Sequence, residues 1–167
     1  MSTTSMSVPL AKGGPIALLV RAGLLTGVVD GLFATVLNVA VFRSTTVTRL
    51  WQNVASVLLG RAAFEGGGKT VAFGLLMHFG VAFFWSALFL VLVLTLPWLR
   101  RVVASPHGVL KVASVYGPLV WVAMSLVAIP LFVHRAPTIT PAWWVLLIGH
   151  FPFVGLPLVA MIGDGEG

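Results

Sequence analysis

Three ionisable residues lie inside long apolar stretches of this sequence: Asp30, His78 and His150. Ionisable side chains inside a bilayer are energetically costly and tend to mark functional sites. Two neutral imidazoles on facing helices could hold the iron of haem b, and we expect haem b to be the leading cofactor. A carboxyl beside histidine could instead relay protons or bind a transported cation. Direct ligation of a metal by the three residues is the weakest hypothesis, because no HxxxH or HxxE spacing supports it.

The helices that must position these residues follow from the distribution of charge. Of the 167 residues, 59% are hydrophobic and 8% charged, whereas about a quarter of a soluble domain is charged. Stretches long enough to cross a bilayer, roughly 20 residues, lie at 22–42 (with Asp30 as the one charge), 70–99, 112–134 and 136–163. The pattern predicts an all-α integral membrane protein with four transmembrane helices in a bundle. Their expected bounds are about 15–42, 69–98, 109–133 and 141–162.

The three ionisable residues are expected at a similar depth. His78 and His150 each follow the start of their span by nine residues, which is about 13–14 Å at 1.5 Å per residue. Asp30 lies about 18 Å from the end of its own span. Because these span ends share one side of the membrane, the sequence predicts an intramembrane layer that binds a cofactor or ion, or relays protons.

Each of these residues also has a structural interpretation. A histidine in a span can hydrogen-bond a neighbouring helix or a carbonyl released by a proline, and His150 precedes Pro152 by two residues. Asp30 could be neutral, or paired with Asn38 or with a histidine. These interpretations remain open at the level of sequence.

Small residues recur at every fourth position near the predicted layer. Gly23, Gly27 and Gly31 in the first span, and Gly74 in the second, predict faces on which helices pack closely. Such faces favour the alternative function, a structural or accessory subunit that packs against other membrane proteins or forms a homo-oligomer. Near the histidines, Gly74, Ala82 and Gly149 are expected to leave room for a porphyrin.

The segments outside the spans are predicted to lie at the membrane surface or in water. Val47, Leu50, Trp51, Val54, Val57 and Leu58 recur at helical spacing. They predict a short amphipathic helix over about 46–60, with Trp51 and Arg49 at headgroup level; a re-entrant segment is the alternative. Trp143 and Trp144 predict an interfacial anchor. Residues 1–14 are expected to form a disordered tail and 164–167 a C-terminal tail, flanking one membrane domain over 15–163.

Composition also excludes several classes of function. The chain has no cysteine, so thiolate catalysis and Cys-ligated metals are excluded. It has no GxSxG, Walker or HExxH motif, and we expect a protein that is not an enzyme. The net charge of +6 comes from basic residues placed singly at span ends. That placement suits the lipid bilayer as partner, and we expect no nucleic acid.

Four spans are expected to place both termini on one side of the membrane. Five basic residues fall on each side, so the positive-inside rule gives no orientation. The segments LLMHFGVAFFWS, VYGPLVW and GHFPFVGLP resemble those of small bacterial multi-pass proteins. That resemblance implies a location in the cell (inner) membrane.

Overall fold

The computed structural model describes residues 14–163 and confirms an all-α membrane bundle. The described chain contains helices α1 (Gly14–Val41), α2 (Val47–Leu59), α3 (Gly67–Thr95), α4 (Pro97–Val103), α5 (Gly108–Val133) and α6 (Pro141–Gly163). Of these, α1, α3, α5 and α6 are long and apolar enough to cross a membrane. The predicted tails, 1–14 and 164–167, lie outside the described residues except for Gly14.

Helix α3 ends at Thr95, three residues before the predicted bound of 98, because of a proline. Leu96 has an extended backbone, with φ −111° and ψ 96°, as expected for a residue that precedes proline. Pro97 then begins α4, where its missing N–H would have had no helical partner. Helix α4 was not predicted, because the span was assigned from the absence of charge and the break that Pro97 causes was not taken into account.

Three of the four membrane helices contain a π-helical segment: Val36–Val41 in α1, Ala123–Ala128 in α5 and Phe151–Gly155 in α6. The segment in α6 contains Pro152 and ends just before Pro157. Each proline removes a backbone donor, and a local change of helical geometry accommodates the loss. His150 is therefore the last residue of the regular α-helix that begins α6.

Helix α1 packs between α3 and α6, and α5 packs against α6. Across α5 and α3, the Tyr116 hydroxyl donates a hydrogen bond to the Trp85 carbonyl at 2.8 Å. The Tyr116 ring also lies 4.8 Å from the ring of Phe89. These contacts close the four helices into a ring around a buried core that includes Leu158 and Ile162.

The outer surface of the bundle is apolar. Ile16, Leu131 and Ile148 are each more than 65% exposed, at 78%, 67% and 70%. A surface that exposes side chains of this kind is suited to a lipid bilayer rather than to water.

Helix α2 packs against the side of α3. A side chain at Gly74 would overlap the carbonyl oxygen of Trp51, so Gly74 allows the two backbones to meet. Trp51 is only 8% exposed because it packs against α3, whereas Arg49 is exposed. Of the predicted interfacial anchor, Trp143 is 8% exposed and Trp144 is 54% exposed.

Candidate functional site

Asp30 and His78 meet between α1 and α3. The Asp30 Oδ2 atom lies 4.0 Å from the Nδ1 atom of His78, and both side chains are largely covered, at 22% and 13% exposed. His78 Nε2 lies 2.8 Å from the carbonyl oxygen of Gly27. A carbonyl oxygen can only accept, so Nε2 carries a hydrogen and donates it. This arrangement turns Nδ1 towards the Asp30 carboxyl.

The His78 ring fits into a space that Gly31 provides. A Cβ atom at Gly31 would lie 3.2 Å from His78 Nε2 and 3.3 Å from the Trp51 ring. Trp51 approaches the imidazole edge-on, with ring centroids 5.2 Å apart, and Phe79 does so at 5.6 Å. Aromatic rings therefore enclose the imidazole, and α2 covers it from the side of the bundle where α3 begins.

His150 is anchored within its own helix and is 7% exposed. Its Nδ1 atom lies 2.7 Å from the carbonyl oxygen of Leu146 and must donate to it. Its other nitrogen, Nε2, then keeps a lone pair that can accept a proton. The Trp121 ring packs on the imidazole at 4.7 Å. The ionisable side chain that Asp30 approaches within 4.0 Å in residues 14–163 is His78.

The site does not fit haem b. The small residues that were expected to leave room for a porphyrin are covered by protein. Gly74 faces the Trp51 carbonyl and Gly149 faces the ring of Phe33, while Ala82 is 8% exposed. That expectation is wrong, because the space beside each glycine admits a neighbouring helix. Within residues 14–163 no three His, Asp or Glu side chains are placed to hold a metal ion.

The glycine face of α1 is also covered by the same chain. Gly23 faces the ring of Phe83 and Gly27 the ring of Phe79, both on α3. This face therefore packs α1 against α3 and is closed to a second protein.

Some buried polar atoms on the membrane helices have no hydrogen-bond partner. In the described chain these are Thr26 Oγ1, Trp85 Nε1, Ser86 Oγ and Trp121 Nε1. Thr26 precedes Asp30 by one helical turn, and Ser86 follows His78 by eight residues on the same face of α3. Buried polar groups normally have partners, and bound water is the usual one where protein groups are lacking.

Two contributions to this site were not predicted from sequence. Trp51 was not linked to His78, and Trp121 was not linked to His150. Neither pairing has a sequence signal, because each joins residues on different helices with no fixed spacing between them.

No protein-family model, no characterised protein and no solved structure matches this chain. Its function therefore has to be inferred from the arrangement of its own side chains.

Proposed function

We propose that this protein is a non-enzymatic, multi-pass protein of the cell membrane that relays protons through the layer of Asp30, His78 and His150. The observation that carries the proposal is the pairing of a carboxyl with an imidazole nitrogen 4.0 Å away, between two membrane helices. The second nitrogen of His78 is held by the Gly27 carbonyl. A proton exchanged by Asp30 and His78 would therefore pass between Oδ2 and Nδ1, and because 4.0 Å exceeds hydrogen-bond distance the exchange needs a closer approach or a bridging water.

The buried hydroxyls support a continuation of the route along α1 and α3. A Cβ atom at Gly27 would lie 3.5 Å from the Cβ of Ala82. Thr26 directly precedes Gly27, so Thr26 on α1 and Ala82 on α3 lie at nearly the same depth in the bundle. Ser86 lies one turn further along α3, in the direction of the beginning of α1. Thr26 and Ser86 have unpartnered oxygens, which can hold water molecules that pass a proton onward from Asp30.

His150 supplies a second base beside the pair. Its Nδ1 atom is committed to Leu146, so Nε2 is the nitrogen that exchanges a proton. Within residues 14–163 His150 and Asp30 form no ion pair of 4.0 Å or less, and we infer that a water molecule joins the two groups.

The test is proton flux into vesicles that contain the purified protein and a pH-sensitive dye. A potassium diffusion potential drives the flux. We expect Asp30→Asn and His78→Gln to lower the rate of acidification to that of vesicles without protein. Glutamine keeps an N–H that can donate to the Gly27 carbonyl, so His78→Gln removes the titrating group while keeping this contact between helices.

The matched control is His134→Gln, because His134 is exposed at the end of α5 and away from the layer. It should conduct as the wild type does. A wild-type rate in Asp30→Asn would refute the relay, as would a wild type that conducts no faster than empty vesicles.

A structural or accessory role is the second candidate, and the contact between His78 and Gly27 favours it. That hydrogen bond joins α1 to α3 whether or not a proton moves. Because the Gly23–Gly27 face is filled by α3, a subunit of this kind would bind partners through its other surfaces. If the protein has this structural role, His78→Gln should leave its assembly with partner proteins unchanged, because glutamine can keep the contact with Gly27.

A further inference from the structure

We propose that the cleft between the 3-10 helix Gly60–Phe64 and the end of α5 binds the phosphate of an anionic phospholipid. The cleft has a volume of about 410 Å³ and is bordered by Arg61 on one side and Arg135 on the other. Phe64 and Phe132 contribute its aromatic walls. The site is separate from the Asp30–His78 pair.

A second cleft of about 440 Å³ shares Arg61 and Phe64 with the first. It is lined further by Arg49, Asn53 and Glu65. The Arg49 guanidinium lies 4.7 Å above the Phe64 ring. Three arginines thus surround Phe64 at this end of the bundle, and Glu65 offsets one of the three charges.

None of the three arginines has a carboxylate within 4.0 Å in the described part of the chain, although Glu65 lines the second cleft. Within residues 14–163 the pair of His78 and Asp30 is the one contact of 4.0 Å or less between a basic and an acidic side chain. A guanidinium presents several donors in one plane and binds phosphate oxygens in pairs. Arg61 and Arg135 face one cleft from two segments of the chain, which is a suitable arrangement for one phosphate.

Exposed apolar side chains beside the cleft favour a lipid over a soluble anion. Leu58 is 53% exposed, Phe132 61% and Leu131 67%. They extend from the arginines along the outer surface of the bundle. A phospholipid can place its phosphate between the arginines and its acyl chains against these residues, as basic pockets at the ends of membrane helices do.

The experiment measures lipid retained by the purified protein. Protein in detergent is mixed with equal amounts of phosphatidylglycerol and phosphatidylcholine, passed through size exclusion and analysed by native mass spectrometry. We expect the wild type to retain phosphatidylglycerol. We expect Arg61→Gln with Arg135→Gln to weaken its binding roughly 25-fold, about fivefold for each arginine.

The matched control is Arg100→Gln with Arg101→Gln, which removes two exposed charges from α4. This variant should retain phosphatidylglycerol as the wild type does. The single variant Arg135→Gln changes a residue outside every helix, so its expected fivefold loss does not depend on the folding of α2.

Three outcomes would overturn the proposal. Equal losses in the two double variants would mean that net charge alone attracts the lipid. Equal retention of phosphatidylcholine would remove the role of the anionic headgroup. Displacement of the lipid by millimolar inorganic phosphate would identify a site for a free anion.

Discussion

At the scale of single residues, the closest packing in the bundle depends on the absence of side chains. A Cβ atom at Gly117 of α5 would overlap the carbonyl oxygen of His150 and lie 3.0 Å from the backbone nitrogen of Gly155. Backbone atoms cannot move aside as a flexible side chain can. We therefore expect Gly117→Ala to destabilise the bundle by about 1–3 kcal/mol, measured as a lower midpoint of thermal unfolding in detergent.

Gly80 provides the control for that substitution. It lies inside α3, and a Cβ atom there would meet nothing within 4 Å. Alanine is favoured over glycine in a helix by up to about 1 kcal/mol, so Gly80→Ala should keep or raise the unfolding midpoint. Equal midpoints for the two variants would show that α5 and α6 do not pack through Gly117.

The sequence could single out Asp30 and the two histidines but not what holds them. Asp30 is the one charge between residues 22 and 42, and it was recognisable for that reason. The acceptors for His78 and His150 are the backbone carbonyls of Gly27 and Leu146. Every residue has a carbonyl, so no residue type indicates which one a histidine will use.

At the scale of helices, the pattern of charge predicted four spans, and residues 14–163 contain four helices able to cross a membrane. The same pattern could not predict the π-helical segments. The segment Val36–Val41 contains no proline and has no compositional signature. The close contact of α5 with α6 through Gly117 and Gly155 was not predicted either.

Helix α2 offers a prediction at the same scale, because one glycine admits it to the side of α3. A side chain at Gly74 would overlap the Trp51 carbonyl. We expect Gly74→Ala to push α2 outwards and to expose its backbone more often to solvent. The measurement is hydrogen exchange in detergent micelles, where amides of α2 should exchange faster than in the wild type while those of α5 and α6 stay unchanged.

Gly68→Ala serves as the control within the same helix, since a Cβ atom at Gly68 would meet nothing within 4 Å. Exchange in α2 should not change in that variant. If Gly74→Ala left the exchange of α2 as it is in the wild type, the contact between Trp51 and Gly74 would not be what holds α2 on the bundle.

At the scale of the whole molecule, the loops fall at two ends of the bundle. α2 contacts the last turns of α5, so the loop before α2 and the loop after α5 share one end. At the other end, a Cβ atom at Gly163 would lie 3.8 Å from Val109. The end of α6 and the start of α5 therefore lie side by side. Four crossings with this arrangement lead us to propose that both termini share one side of the membrane.

Single cysteines can test that topology, because the sequence has none of its own. Ser44, Ala104 and Ala136 are exposed and lie in the links after α1, α4 and α5. We expect a membrane-impermeant maleimide on intact cells to label either both Ser44→Cys and Ala136→Cys or neither of them. Ala104→Cys should be labelled when those two are not, and unlabelled when they are. Lysed cells, in which all three must be labelled, provide the control.

The side that reacts gives the orientation of the protein in the membrane, which the equal number of basic residues on the two sides left undecided. Opposite labelling of Ser44→Cys and Ala136→Cys would mean that the helices between them do not cross the membrane an even number of times, and the four-span bundle would then be wrong.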